Sequence, residues 1–251
     1  MITAFQRGIT CRLLPLIVLI VIWNVPAQAG RLEDIENGVR SSSSPSIAAD
    51  DGFDPSFLLA PFFQPRCYYP YPYYYTEPEI DLSGIEVPVT RNFSLSAGVH
   101  YLYDTRGDLD GYRGELLFGT PIGKLGGDFT RFQEDLKPGH DYLNLYYIDY
   151  RLGFDLPGFT FDVGGGYSGL YRDHAYGGGN VLLAIEAWPL TPLGFDATVR
   201  YSNIHHSGLG DYRAGINLVY RWGGLRVGYR YLHFEDGPDI RGPEFGIKFW
   251  L

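Results

Sequence analysis

From Asn92 to the C-terminus, apolar and polar residues alternate with a period of two, in runs broken by Gly, Pro and Asp. Such alternation puts successive side chains on opposite faces of a strand. In "AGINLVYRW", Ala214, Ile216, Leu218, Tyr220 and Trp222 share one face, and Arg213, Gly215, Asn217 and Arg221 the other. In "GLRVGYRYLHF", Leu225, Val227, Tyr229 and Tyr231 oppose Arg226, Gly228 and Arg230. The closing "EFGIKFWL" sets Phe245, Ile247, Phe249 and Leu251 against Glu244, Gly246 and Lys248. Ten strands are predicted, near 92–104, 111–120, 124–133, 142–154, 159–171, 179–188, 194–205, 212–222, 224–234 and 241–251. Eight is the alternative count, with the second and third merged into one irregular hairpin, because Arg131 in "KLGGDFTRFQED" falls on the apolar parity.

The polar face is charged and glycine-rich, unlike the inside of a soluble sandwich. The apolar face carries Tyr and Trp near strand ends and aliphatic residues at strand centres. An all-β, antiparallel up-and-down transmembrane β-barrel has that pattern, with lipid outside and a polar lumen. The turns alternate in kind. "PIGKLG", "DLPG", "PLTPLG" and "WGG" are short and apolar, whereas "DTRGDLDG", "QEDLKPGHD", "RDHAYGGG", "HHSGLGD" and "EDGPDIRGPE" are longer and mostly charged. Short turns belong on the periplasmic side and longer loops outside, which predicts both chain ends in the periplasm.

The segment before the strands has two parts. Residues 1–29 read as a secretory signal peptide: Arg7 and Arg12, an 11-residue apolar run from Leu13 to Trp23, then Ala27-Gln28-Ala29. Residues 30–90 are Ser-, Pro- and Tyr-rich ("SSSSPS", "RCYYPYPYYYTEPE") and predict a disordered or periplasmic segment before the barrel at 91–251. Cys67 alone would remain after cleavage, so no disulfide forms within the mature chain. Cleavage removes two positive charges and no acids, taking the net charge from −9 to −11. An acidic exported chain is not expected to bind nucleic acid, which needs clustered Lys and Arg.

On these strands and on the closing "FGIKFWL", residues 91–251 resemble small outer-membrane β-barrel proteins of Gram-negative-type bacteria. The resemblance implies a monomer in outer-membrane lipid, delivered through its C-terminal strand by the barrel-assembly machinery. Here Leu251, not an aromatic residue, ends the chain.

Two places carry candidate chemistry. By parity the lumen receives His100, Arg113, Glu115, Asp128, Asp149, Arg151, Asp162, Glu186, Asp196, Arg200, Arg213, Arg221, Arg226, Arg230, Glu244 and Lys248. In so narrow a barrel these charges are expected to meet and pair as a structural network; the rival reading is a narrow diffusion channel. The second place is "RYSNIHHSGLGDY", Arg200 to Tyr212, at the outer end of the seventh strand. Its His-x-Ser pair resembles the motif of lipid A 3-O-deacylase barrels, with Gly208 where that family usually has Asn. The resemblance implies an ester hydrolase in which His205 takes the proton of Ser207 and Asp211 orients the histidine. With the pair continuing the strand, His205 and Ser207 are expected on the lipid-facing side. No cofactor and no metal site are expected. The leading expectation is a structural or surface-interaction barrel, with the hydrolase and the channel as alternatives.

Overall fold

The computed structural model describes residues 91–251 apart from 107–108, 137–138, 157, 191 and 221, together with 34–36, 66, 68, 79–80 and 86–87. The expected signal peptide lies outside the described residues. Two short strands, β1 (Glu79–Ile80) and β2 (Glu86–Val87), pair with each other as a separate antiparallel sheet. Ten longer strands follow: β3 (Ser94–Tyr103), β4 (Leu109–Thr120), β5 (Gly123–Leu136), β6 (Gly139–Leu156), β7 (Phe159–Tyr171), β8 (Ala175–Leu190), β9 (Leu193–Ile204), β10 (Ser207–Tyr220), β11 (Gly223–Phe234) and β12 (Ile240–Trp250). Each pairs antiparallel with its neighbours in the chain, and β12 returns to β3, so the sheet closes without an edge. Ten strands is the count; β4 and β5 pair residue for residue from Leu109–Glu134 to Thr120–Gly123, which removes the eight-strand alternative.

Alternation explains why these segments close outward-greasy. Val99, Leu116, Ile148, Val181, Ile216, Val227 and Ile247 are exposed on the outer surface at strand centres. Tyr101, Tyr112, Tyr167, Tyr201 and Tyr212 stand outside them towards one end, and Phe118, Tyr150, Phe195, Tyr220 and Trp222 towards the other. Two aromatic belts flanking an aliphatic band match the two interfaces of a bilayer. Some belt rings lie against glycine on the next strand: a Cβ on Gly169 would come within 2.1 Å of the Tyr146 ring.

A membrane-crossing strand needs about 9–11 residues. β6 has 18 residues and β8 has 16, so the wall rises beyond the bilayer at the end where the longer loops were expected. Arg131, Gln133, His140 and Asn144 are outward-facing on this extension. The Arg131 guanidinium lies 3.9 Å from the centre of the Tyr142 ring, so its place on the apolar parity causes no conflict. The expected loops are correspondingly shorter. "QEDLKPGHD" and "HHSGLGD" are mostly strand, because β5 runs on to Leu136 and β10 begins at Ser207.

The lumen is layered. Trp188, Val219 and Trp250 form an apolar floor at the short-turn end, the tryptophans edge-to-face at 5.8 Å. Charged residues fill the middle. At the loop end, Leu102, Phe132, Leu145, Leu170, Leu209 and Ile240 belong to a buried apolar cap. Ile35 is wholly buried in that cap, and Glu36 meets Arg172 at 3.1 Å. Arg66 and Tyr68 sit at the opposite end, against Asp155 and Thr120. Within 30–90, expected as a disordered or periplasmic segment, the apolar cap takes up Ile35, and paired carboxylates at the other mouth take up Arg66.

The outward face predicts a sharp penalty for charge. Val99→Arg, at the centre of β3, is expected to cost about 2–4 kcal/mol of stability in lipid vesicles, measured by urea titration, as for a basic residue at the bilayer midplane.

Candidate functional site

The charges of the lumen come from strand positions of one parity, so the pleat aims them all inward. Arg213 on β10 and Asp128 on β5 stand half a circuit apart in the ring of ten strands, and their side chains are hydrogen-bonded across it. Arg213 also holds Asp211 at 2.6 Å, and Asp211 accepts two bonds from Arg230, at 2.8 and 3.1 Å. Arg230 reaches back across the lumen to the Thr130 hydroxyl at 2.9 Å. On the other side, Asp128 accepts from Arg113 at 3.2 Å, and Arg113 forks onto Glu244 at 2.8 and 3.1 Å and onto Glu115 at 2.5 Å. Glu244 is shared with Arg226, which grips Asp196 at 2.7 and 2.9 Å. His100 completes this group, 3.3 Å from Glu115 and close against Gly98 and Gly246, where a Cβ would stand 2.7 and 2.2 Å from its ring.

Smaller groups flank the main one. Asp149 joins Arg200, at 2.8 Å, to Arg151. Lys248 meets Glu186 at 3.3 Å between β12 and β8. At the short-turn end Lys124 and Arg66 each contact both Asp155 and Asp162, at 2.6–3.2 Å. Nine basic side chains (Arg66, Arg113, Lys124, Arg151, Arg200, Arg213, Arg226, Arg230, Lys248) thus pair with nine acidic ones (Glu115, Asp128, Asp149, Asp155, Asp162, Glu186, Asp196, Asp211, Glu244). That balance decides against a lumen with a large single-signed field.

Of the residues singled out in sequence, His100, Glu115, Asp149, Arg151, Asp162, Glu186, Arg200, Arg226 and Arg230 all line this interior. Arg221 lies outside the described residues. Lys124, Asp155, Asp211 and Arg66 were not assigned to the lumen. The parity of "AGINLVYRW" extended back to Asp211 would have found one of them; Arg66, in the proline-rich segment, carries no such signal.

The rim constellation is corrected. His205 and His206 are the two central residues of a tight turn, with φ of 48° and 75°, and Ile204 pairs with Ser207 across it. Positive φ at both positions is the signature of a two-residue hairpin turn, and histidine is among the non-glycine residues that adopt it more readily. The turn reverses the chain, so Ser207 starts a new strand facing inward instead of continuing β9 on the lipid side. Its hydroxyl is buried and makes no hydrogen bond. His205 is exposed and packs 5.3 Å from the Tyr176 ring. Asp211 is wholly buried, committed to Arg213 and Arg230. Base, nucleophile and orienting acid are not brought together. Among the described residues no cluster of three His, Cys, Asp or Glu side chains is placed to hold a metal.

The short-turn mouth is stoppered. Tyr68 donates to the Thr120 carbonyl at 2.7 Å, and Arg66 and Lys124 lie 5.5 and 5.4 Å from its ring centre. Burial works against the Arg66 charge, but the carboxylates of Asp162 and Asp155 outweigh it and hold its pKa above the ordinary value. The Tyr68 hydroxyl is pushed up, chiefly by burial, with Arg66 opposing. Arg66 therefore stays cationic and Tyr68 neutral throughout the physiological range.

No protein-family model matches the chain, and no curated protein does. Among solved structures it is similar to Ail, the attachment invasion locus protein of Yersinia pestis, at 9% identity over 63% of this chain and 96% of that one, with a TM-score of 0.29. It is also similar to Neisserial surface protein A, at 17% identity over 62% and 94%, with a TM-score of 0.27. The strand pairings above, and not these distant likenesses, define the chain as a closed transmembrane β-barrel.

Asp211 is the test of the network's energetics. Asp211→Asn leaves Arg213 and Arg230 buried with one fewer counter-charge, and breaking a buried pair in this way costs about 3–5 kcal/mol. Reversible urea unfolding in vesicles is expected to show a loss of that size.

Proposed function

We propose that the protein is an outer-membrane β-barrel serving as a closed anchor, which carries its loop-end strand extensions and turns outside for surface interaction. The observation behind this reading is the Arg213–Asp128 bond across the full width of the lumen. A diffusion channel needs a continuous water path. Here the path would have to pass the apolar cap, the cross-lumen network and the floor of Trp188 and Trp250 in turn. The charge balance of the interior agrees with a structural network. The leader-like pattern of residues 1–29 and the lipid-matched exterior support outer-membrane residence. The short turns support the periplasmic side for the end where β3 begins and β12 finishes. In this reading outer-membrane lipids contact the two aromatic belts, the barrel-assembly machinery reads β12, and the barrel acts as a monomer.

The closed state is tested by planar-bilayer recording in molar KCl. Refolded protein, shown to be folded by heat-modifiable gel migration, is expected to give no stable conductance steps. Steady, reproducible conductance from the folded parent would overturn the closed-anchor reading in favour of a narrow channel.

A further inference from the structure

Arg200 differs from the other arginines at the centre of the lumen. Its Nη2 donates to Asp149 at 2.8 Å, but Nε and Nη1, both shielded from solvent, donate to no protein atom. Arg200 is only 1% exposed. A buried N–H without an acceptor is costly, and a charged one more so. The guanidinium is also held: its Cζ lies 3.9 Å from the centre of the Tyr147 ring, and Asp149 takes Nη2.

Arg200 is one of the residues lining a cavity of about 80 Å³ in the middle layer. A single water needs about 10–15 Å³ on this kind of measure, so the space exceeds one water. Although the lumen as a whole balances, the wall of this cavity does not. Seven basic side chains, Arg200, Arg113, Arg151 and Arg213 among them, line it against five acidic ones. Asp149, Asp155, Asp211 and Glu244 do not line it. Asp128, whose Oδ1 accepts no hydrogen bond, is one of the five acids that oppose an anion there, and it is held between Arg113 and Arg213.

We propose that this cavity is a binding site for a small inorganic oxyanion of sulfate or phosphate size, with Arg200 Nε and Nη1 as its primary donors. The proposal rests on the closed-lumen reading only in that the apolar layers above and below keep bulk water out. Arg–oxyanion bonds are charge-assisted and strong in such surroundings. The anion would supply the acceptors that the protein does not.

The test is to refold the full chain with radiolabelled sulfate, and separately phosphate, at fixed ionic strength and to measure retention by equilibrium dialysis. Saturable retention of about one anion per barrel is expected, each anion competing with the other. Arg200→Met should lose affinity roughly tenfold or more, the worth of one charge-assisted bond. It should still fold, because Arg151 continues to pair with Asp149. Absence of saturable binding by the parent, or unchanged binding by Arg200→Met, would mean that the cavity holds water only and would overturn the proposal. Crystals grown from the parent refolded in the presence of selenate give a readout free of any variant. An anomalous peak within hydrogen-bond distance of Arg200 supports the site, and its absence there overturns it. Neither result depends on conductance, so this inference and the closed-anchor reading can fail separately.

Discussion

The hydrogen-bonded ion pair between Arg213 and Asp128 ties opposite walls of the barrel together, and most of the interior is arranged to make it tolerable. Moving two charges out of water costs several kcal/mol per ion, which their attraction repays only if their remaining donors and acceptors are met. The neighbours do most of this on both sides, although Asp128 Oδ1 accepts no hydrogen bond: Asp211 and Arg230 stand beyond Arg213, and Arg113, Glu244 and Arg226 beyond Asp128. The pair also requires a barrel narrow enough for an arginine and an aspartate to meet across its diameter. Ten strands provide that width.

Outside and inside obey opposite rules because they face opposite solvents. Lipid cannot satisfy a polar group, so the outer face is aliphatic at mid-strand and aromatic at the interfaces. The charged middle of the lumen lies between two apolar layers, one built on Trp188 and Trp250 and the other on residues such as Phe132 and Leu145. Excluding water strengthens each bond of the network, and it also makes any unmet group there expensive. Arg200 therefore calls for an explanation that a surface arginine would not need.

Much of this was legible from period-two alternation. It located the ten strands, the lipid face and the parity that sends His100, Arg200, Arg226 and Arg230 inward, because each depends only on neighbouring residues. Which charge meets which was not legible. Arg213 and Asp128 are brought together by the closure and stagger of the whole ring, which no local pattern encodes. The rim was misread for a local reason: His205 and His206 reverse the chain without the glycine or asparagine that usually marks such a turn, so Ser207 was assigned the wrong face. Ile35 and Arg66 lie in a segment without periodicity, and only the mouths of the finished barrel give them partners.

A double-mutant cycle across the lumen addresses the central claim most directly. Asp128→Asn, Arg213→Gln and the pair together would be compared with the parent by reversible urea unfolding in lipid vesicles. If the two walls are joined through this pair, the double variant should be less destabilised than the sum of the singles, with a coupling of about 1–3 kcal/mol. Additivity within about 0.5 kcal/mol would mean that the two side chains do not act on each other, and it would contradict a barrel held shut across its width.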